Sequence, residues 1–175
     1  INGPAVSRFQ ADLQEYLGVK HVIPCANGTD ALQIAMMALD LKPGDEVIVP
    51  SFTYVATAEV IGLLNLTPVM VDVDPKTFTI TLDNIKAAVT RRTKAIVPVH
   101  FTGYMTRMDN LESIAEKYSL PIVEDACQSI LAEIKGKKAG TWGISGAFSL
   151  HPLKNINVWS DGGVIVTNDD ELDVK

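Results

Sequence analysis

The sequence predicts an α/β fold: a mainly parallel sheet in the middle of three layers, with helices on both faces. Three observations carry that expectation. Strand-like and helix-like patterns alternate along the whole chain of 175 residues. The strand-like runs are nearly all apolar, as expected where both sheet faces are covered. At least four strand–helix alternations fit crossover connections between parallel neighbours.

The elements follow in order. Residues 6–17 read as an amphipathic helix with Val6, Phe9, Leu13 and Leu17 on one face. Residues 21–26 form a short strand and 30–39 an apolar helix. A Lys-Pro-Gly-Asp turn at 42–45 leads into a strand at 46–50 and a helix at 53–64. A strand at 68–73, a loop at 75–81 and a helix at 82–89 come next. Residues 94–100 read as a buried strand, 108–118 as a helix and 121–125 as a strand. Two short β-like runs, 147–150 and 163–167, close the series, and the segment between them leaves little room for a full helix. The acidic tail 169–175 reads as the opening turns of another helix, and the chain starts without Met, so both ends read as cut. No repeat or low-complexity segment interrupts the pattern.

Composition narrows the function. Fifteen Lys and Arg stand against 21 Asp and Glu, a net charge of -6, with no basic run. Binding to a nucleic-acid backbone or an anionic membrane surface therefore has little to rest on. No apolar run approaches the roughly 20 residues that span a bilayer. Residues 1–4 show no signal-peptide pattern, which makes a cytoplasmic enzyme the expectation. Cys25 and Cys127 are too few for a disulfide scaffold and are expected as buried free thiols. They form no C-x-x-C, and His100 and His151 lack ligand spacing, so no metal site is expected.

In open parallel sheets, ligands bind beyond the carboxyl ends of the strands. Residues 25–29, 51–54, 100–103 and 125–128 all fall there, on one rim. Gly28 and Thr29, at a strand–helix junction, suit a phosphate held by free N–H groups and the helix dipole. They equally suit a capped helix after a tight turn, and no dinucleotide fingerprint or P-loop is present. Tyr54 is either a core aromatic or a ring that stacks on a flat ligand. Asp125 ends a buried apolar strand, where a carboxylate needs a partner: a pyridinium nitrogen, the backbone of the following segment or one of the lysines. Gln128 lies three residues beyond it. Lys154 follows another strand and precedes the Gly162-Gly163 turn, with Ser149 five residues upstream. A lysine amine condenses with aldehydes, and a carboxylate keeps a pyridine nitrogen protonated. The pairing of Lys154 with Asp125 thus suggests pyridoxal 5'-phosphate (PLP).

The motifs occur in a fixed order. They are G-T-D-A-L from Gly28, P-S-F-T-Y-V-A-T from Pro50, V-D-V-D-P from Val71 and A-I-V-P-V-H from Ala95. V-E-D-A-C-Q from Val123, F-S-L-H-P-L-K-N from Phe148 and D-G-G from Asp161 complete the series. In this order they resemble the DegT/DnrJ/StrS family of PLP-dependent sugar aminotransferases. The resemblance implies the large domain of an aspartate aminotransferase-like, fold type I transferase over residues 1–175, without its C-terminal small domain. It implies Lys154 as the lysine that bonds PLP and later shuttles a proton, and Asp125 as the partner of the ring nitrogen. Gln128 would lie beside the phenolic oxygen, Gly28, Thr29 and Ser149 at the phosphate, and Tyr54 against the ring. The implied reaction moves an amino group from an amino acid, glutamate by resemblance, to a nucleotide-linked keto sugar, in a homodimer. Its rivals are the dehydratase branch of the family, which carries His in place of the lysine, and a non-catalytic binding or assembly module. Two positions depart from the pattern: Ser129-Ile130-Leu131 replaces a small run such as Ala-His-Gly, and Ser160 stands where glycine is common.

Overall fold

The computed structural model describes residues 3–175. Helix α1 (Pro4–Leu17) has proline in its first turn, where no intrahelical N–H is needed, and ends on left-handed Gly18. Strand β1 (His21–Cys25) leads into α2 (Gly28–Met37), then β2 (Glu46–Pro50), α3 (Ala56–Leu63) and β3 (Thr67–Val71). Helix α4 (Leu82–Ala88), β4 (Thr93–Ile96), α5 (Met108–Tyr118) and β5 (Val123–Asp125) follow. A two-residue hairpin of β6 (Glu133–Ile134) and β7 (Lys137–Lys138) precedes β8 (Ser145–Ser149), β9 (Gly163–Thr167) and short α6 (Asp170–Asp173).

The strands form two ladders, β1-β9-β8-β5 and β3-β2-β4. Parallel bridges Ile96–Ile122 and Val99–Asp125 join them into one twisted surface. The pairs β3–β2, β2–β4 and β5–β8 are parallel, as expected. Strand β9 runs antiparallel to both β8 and β1. Its reversal follows from the connection: residues 151–162 form turns and no crossover helix, so the chain returns alongside the strand it left.

Side-chain alternation divides the core into two layers. Ile48, Ile96, Phe148, Val164 and Val166 pack with Leu13, Met108 and Leu111 on one face. Val47, Val49, Ala95, Val97, Ala147 and Ile165 pack with Ala31, Leu32, Met36, Val60 and Ile61 on the other. Helices α1 and α5 thus cover one face, and α2 and α3 the opposite one. Val47, Ile48 and Val49 are all 0% exposed, and burial of each contributes about 1.5–3 kcal/mol.

Several boundaries differ from the sequence expectation. The ladder of β4 stops at Ile96 because Pro98 has no N–H to give, and pairing resumes at Val99. Helix α3 starts at Ala56, three residues later than expected, because Ser51 to Val55 turn outward at the rim. Helix α2 starts at Gly28, two residues earlier than expected, because Asn27 caps it by accepting from Asp30 N–H. The β6–β7 hairpin was not anticipated. Both cysteines are free thiols, but half-buried where full burial was expected.

Candidate active site

One cavity of about 440 Å³ lies at the carboxyl ends of the parallel strands. Gly28, Thr29, Tyr54, Asp125, Gln128, Ser149 and Lys154 all line it, so the fold brings together every site residue the sequence singled out. Asn27, Thr53, His151, Leu153 and Asp161 line it as well, and the sequence reading gave them no role.

The phosphate end is built by α2 and β8. Asn27 Oδ1 accepts from Asp30 N–H at 2.8 Å, and Asn27 O from Ala31 N–H at 3.0 Å. The Gly28 and Thr29 N–H groups, in the first turn of α2, are left without intrahelical partners. A Cβ at Gly28 would lie 2.7 Å from Ser149 Cβ and 3.0 Å from Cys127 Sγ, so only glycine lets α2 approach β8 this closely. Ser149 Oγ accepts from His151 N–H at 3.3 Å, which leaves its own proton available to a ligand.

Asp125, 6% exposed, ends β5 at the cavity floor. Its Oδ2 accepts from Thr57 Oγ1 at 2.7 Å and its Oδ1 from Cys127 N–H at 3.2 Å. Burial, reinforced by the Asp125 carboxylate, pushes the Cys127 thiol well above its usual pKa. Burial raises Cys25 in the same way, to about 11. Neither thiol is a nucleophile at neutral pH.

Gln128 Oε1 accepts from Thr102 N–H at 2.8 Å, so its amide N–H groups remain free to donate. Thr102 takes a left-handed backbone (φ 55°, ψ 19°) in the short 3₁₀ turn Phe101–Gly103, which follows β4. Tyr54 is 68% exposed, an open aromatic face at the mouth. Lys154 is half-buried in the 151–162 segment, where its N–H donates to His151 O at 2.8 Å. Its ammonium forms no ion pair among the described residues. The residue the sequence reading missed is Thr57.

The donor set fits a phosphorylated heteroaromatic aldehyde: an anion cradle, an amine, a buried carboxylate and an open aromatic face. The three-layer fold with this cavity is that of the PLP-dependent transferases. More narrowly, the chain belongs to the DegT/DnrJ/EryC1/StrS aminotransferase family, whose model matches residues 1–175. It is 49% identical to the UDP-2-acetamido-2-deoxy-3-oxo-D-glucuronate aminotransferase of Pseudomonas aeruginosa, covering 98% of this chain and 48% of that protein. A crystal structure of a DegT DnrJ EryC1 StrS aminotransferase from Brucella abortus superposes with a TM-score of 0.96 at 44% identity, over 99% of this chain and 48% of that one. The E. coli GDP-4-keto-6-deoxy-D-mannose-3-dehydratase with bound hydrated PLP superposes with a TM-score of 0.93 at 32% identity, over 98% of this chain and 45% of that one. The chain thus spans about half the length of the relatives it matches.

Proposed function

We propose that this chain is the PLP-binding large domain of an aminotransferase that moves an amino group from an amino acid, glutamate in the first instance, to a nucleotide-linked keto sugar. The observation that carries the reading is the convergence of Lys154, Asp125 and the Gly28–Ser149 cradle on one cavity. The P. aeruginosa relative, whose name specifies a nucleotide-linked oxo sugar, supports the substrate class.

When bound, PLP supplies an aldehyde that exchanges amines and a ring that accepts electron density. The residues of this chain set up the rest. The Gly28 and Thr29 N–H groups and the Thr29 and Ser149 hydroxyls hold the phosphate, with the positive end of the α2 dipole behind them. Tyr54, with its exposed face at the cavity mouth, would stack on the ring and shield it from water. Asp125, held by two internal donors at the cavity floor, would face the ring nitrogen and accept its N–H. The free amide N–H of Gln128 orients the phenolic oxygen. Lys154 Nζ would hold the aldehyde of the cofactor and, as a free amine, would take the substrate's Cα proton as general base and give it as general acid to the former aldehyde carbon. In the whole protein we expect a homodimer, with the small domain supplied outside these residues.

Lys154 weighs against the dehydratase reading, since that branch resembles this chain but carries His at this position. Incubation with PLP, borohydride reduction and peptide mass mapping test the proposal. We expect a pyridoxyl adduct confined to Lys154 and lost in Lys154→Ala. An adduct elsewhere, or none, removes the basis of the assignment. Adduct formation without transamination of any keto sugar would favour a binding or assembly module.

A further inference from the structure

We propose that Thr57 is a positioning residue that sets the carboxylate of Asp125 for a ring nitrogen in the cavity, and that Thr53 completes a directed hydroxyl relay behind it. The inference rests on the cofactor reading above and adds to it a residue that does not touch the cavity. Thr57 lies in the first turn of α3, is 1% exposed, and sits behind the wall of the cavity. Its Oγ1 lies 2.7 Å from Asp125 Oδ2 and 3.0 Å from Thr53 Oγ1.

The direction of the protons follows from chemistry. A carboxylate can only accept, so the single hydroxyl proton of Thr57 goes to Asp125. Thr57 therefore has only lone pairs left for Thr53, and the Thr53 proton must point to it. The relay runs from Thr53, on the cavity wall, through Thr57 to Asp125 Oδ2. Each bond in such a chain polarises the next and strengthens the charge-assisted last one.

The relay fixes two properties. Asp125 Oδ1 accepts from Cys127 N–H at 3.2 Å, so the shorter Thr57 bond sets the rotation of the carboxyl plane. The bond also leaves the remaining lone pairs of the carboxylate aimed at a ring N–H in the cavity. Thr57 therefore matters to a ligand in proportion to the charge on its ring nitrogen.

The test uses that selectivity. The purified apo protein is titrated by fluorescence with PLP and with its 1-deaza analogue, in which a C–H replaces the ring nitrogen. Thr57→Val keeps the shape and removes the hydroxyl. It should bind PLP about tenfold more weakly, the scale of one hydrogen bond to a charged group, and the analogue as wild type does. Thr57→Ser should restore PLP affinity to within about twofold of wild type, since it keeps the hydroxyl. Equal losses for both ligands would make Thr57 a packing residue and overturn the inference, as would an unchanged PLP affinity. If Thr57→Val does not fold, Thr53→Val, at a half-buried position, should show the same PLP-selective loss in smaller measure; no selectivity there overturns the relay. Failure of wild-type protein to bind PLP would overturn the cofactor reading itself, and the inference with it.

Discussion

Gly28 has no room for a side chain, and this restriction couples stability to ligand binding at a single atom. In Gly28→Ala the new Cβ would meet Ser149 Cβ at 2.7 Å, on a strand that cannot move aside. We expect a loss of about 1–3 kcal/mol in denaturant unfolding, with weaker binding of inorganic phosphate measured in parallel. Ser160 shows the opposite imbalance. Its φ of +147° is a conformation that glycine adopts and L side chains resist, in the segment that carries Lys154. Ser160→Gly should raise stability by about 1 kcal/mol, the strain relieved less the backbone entropy glycine adds to the unfolded chain, read as a higher melting temperature. Sequence alone flagged Ser160 as a departure but could not say that its backbone was unusual. It singled out Asp125 because it ends β5, and Gly28 and Lys154 because they follow β1 and β8. It missed Thr57 because a threonine inside a helical pattern looks the same whether its hydroxyl meets a carboxylate or its own backbone.

Strand β5 ends on two adjacent acids with different tasks. Glu124, 0% exposed, accepts from the N–H groups of Gly140, Trp142 and Gly143 at 2.9, 2.6 and 2.7 Å and from His100 Nε2 at 2.8 Å. His100 Nδ1 accepts from Thr106 N–H at 3.3 Å, which puts the ring proton on Nε2 and leaves the ring neutral. One carboxylate thereby pins the 138–144 loop that follows the β6–β7 hairpin. Glu124→Gln replaces one acceptor oxygen by an amide nitrogen, which donates and cannot accept. It should cost about 3 kcal/mol, with faster hydrogen exchange at Gly140, Trp142 and Gly143. At the start of α5, hydrogen bonds from Arg107 and Lys135 hold the Asp109 carboxyl well below its usual range. Its contribution to stability is therefore complete above the ordinary carboxylate pKa and lost as pH falls towards the depressed value. Asp109→Asn should flatten the acid side of a plot of melting temperature against pH. Apolar runs and turn residues made the longer elements legible. The hairpin was not, since two-residue strands carry no period, and the reversal of β9 depends on the shape of its connection.

At the scale of the molecule, the cavity joins residues from Asn27 to Asp161, carried by both ladders of the sheet. No local segment holds the site, so a ligand that needs it binds only the folded chain. Added PLP should therefore raise the melting temperature in a concentration-dependent way, by about 2.7 kcal/mol of linkage at a hundredfold excess over Kd. Lys154→Ala should keep only the part that comes from the phosphate. Which helices cover which face was not legible, because strands apolar on both faces carry no alternation. The junction between the ladders was not, because it rests on the two bridges around Pro98. Among the described residues no helix is long and apolar enough to cross a membrane. The neighbouring acids of β5 have one more consequence. Successive strand residues face opposite sides, so a slip of one position in one direction would put Glu124 at the cavity and Val123 before the three amides, and in the other would leave the shorter Asp125 to reach for them. Either slip leaves buried N–H groups without the acceptor that Glu124 provides. Two neighbouring acids of different length thus penalise a misaligned strand whichever way it shifts.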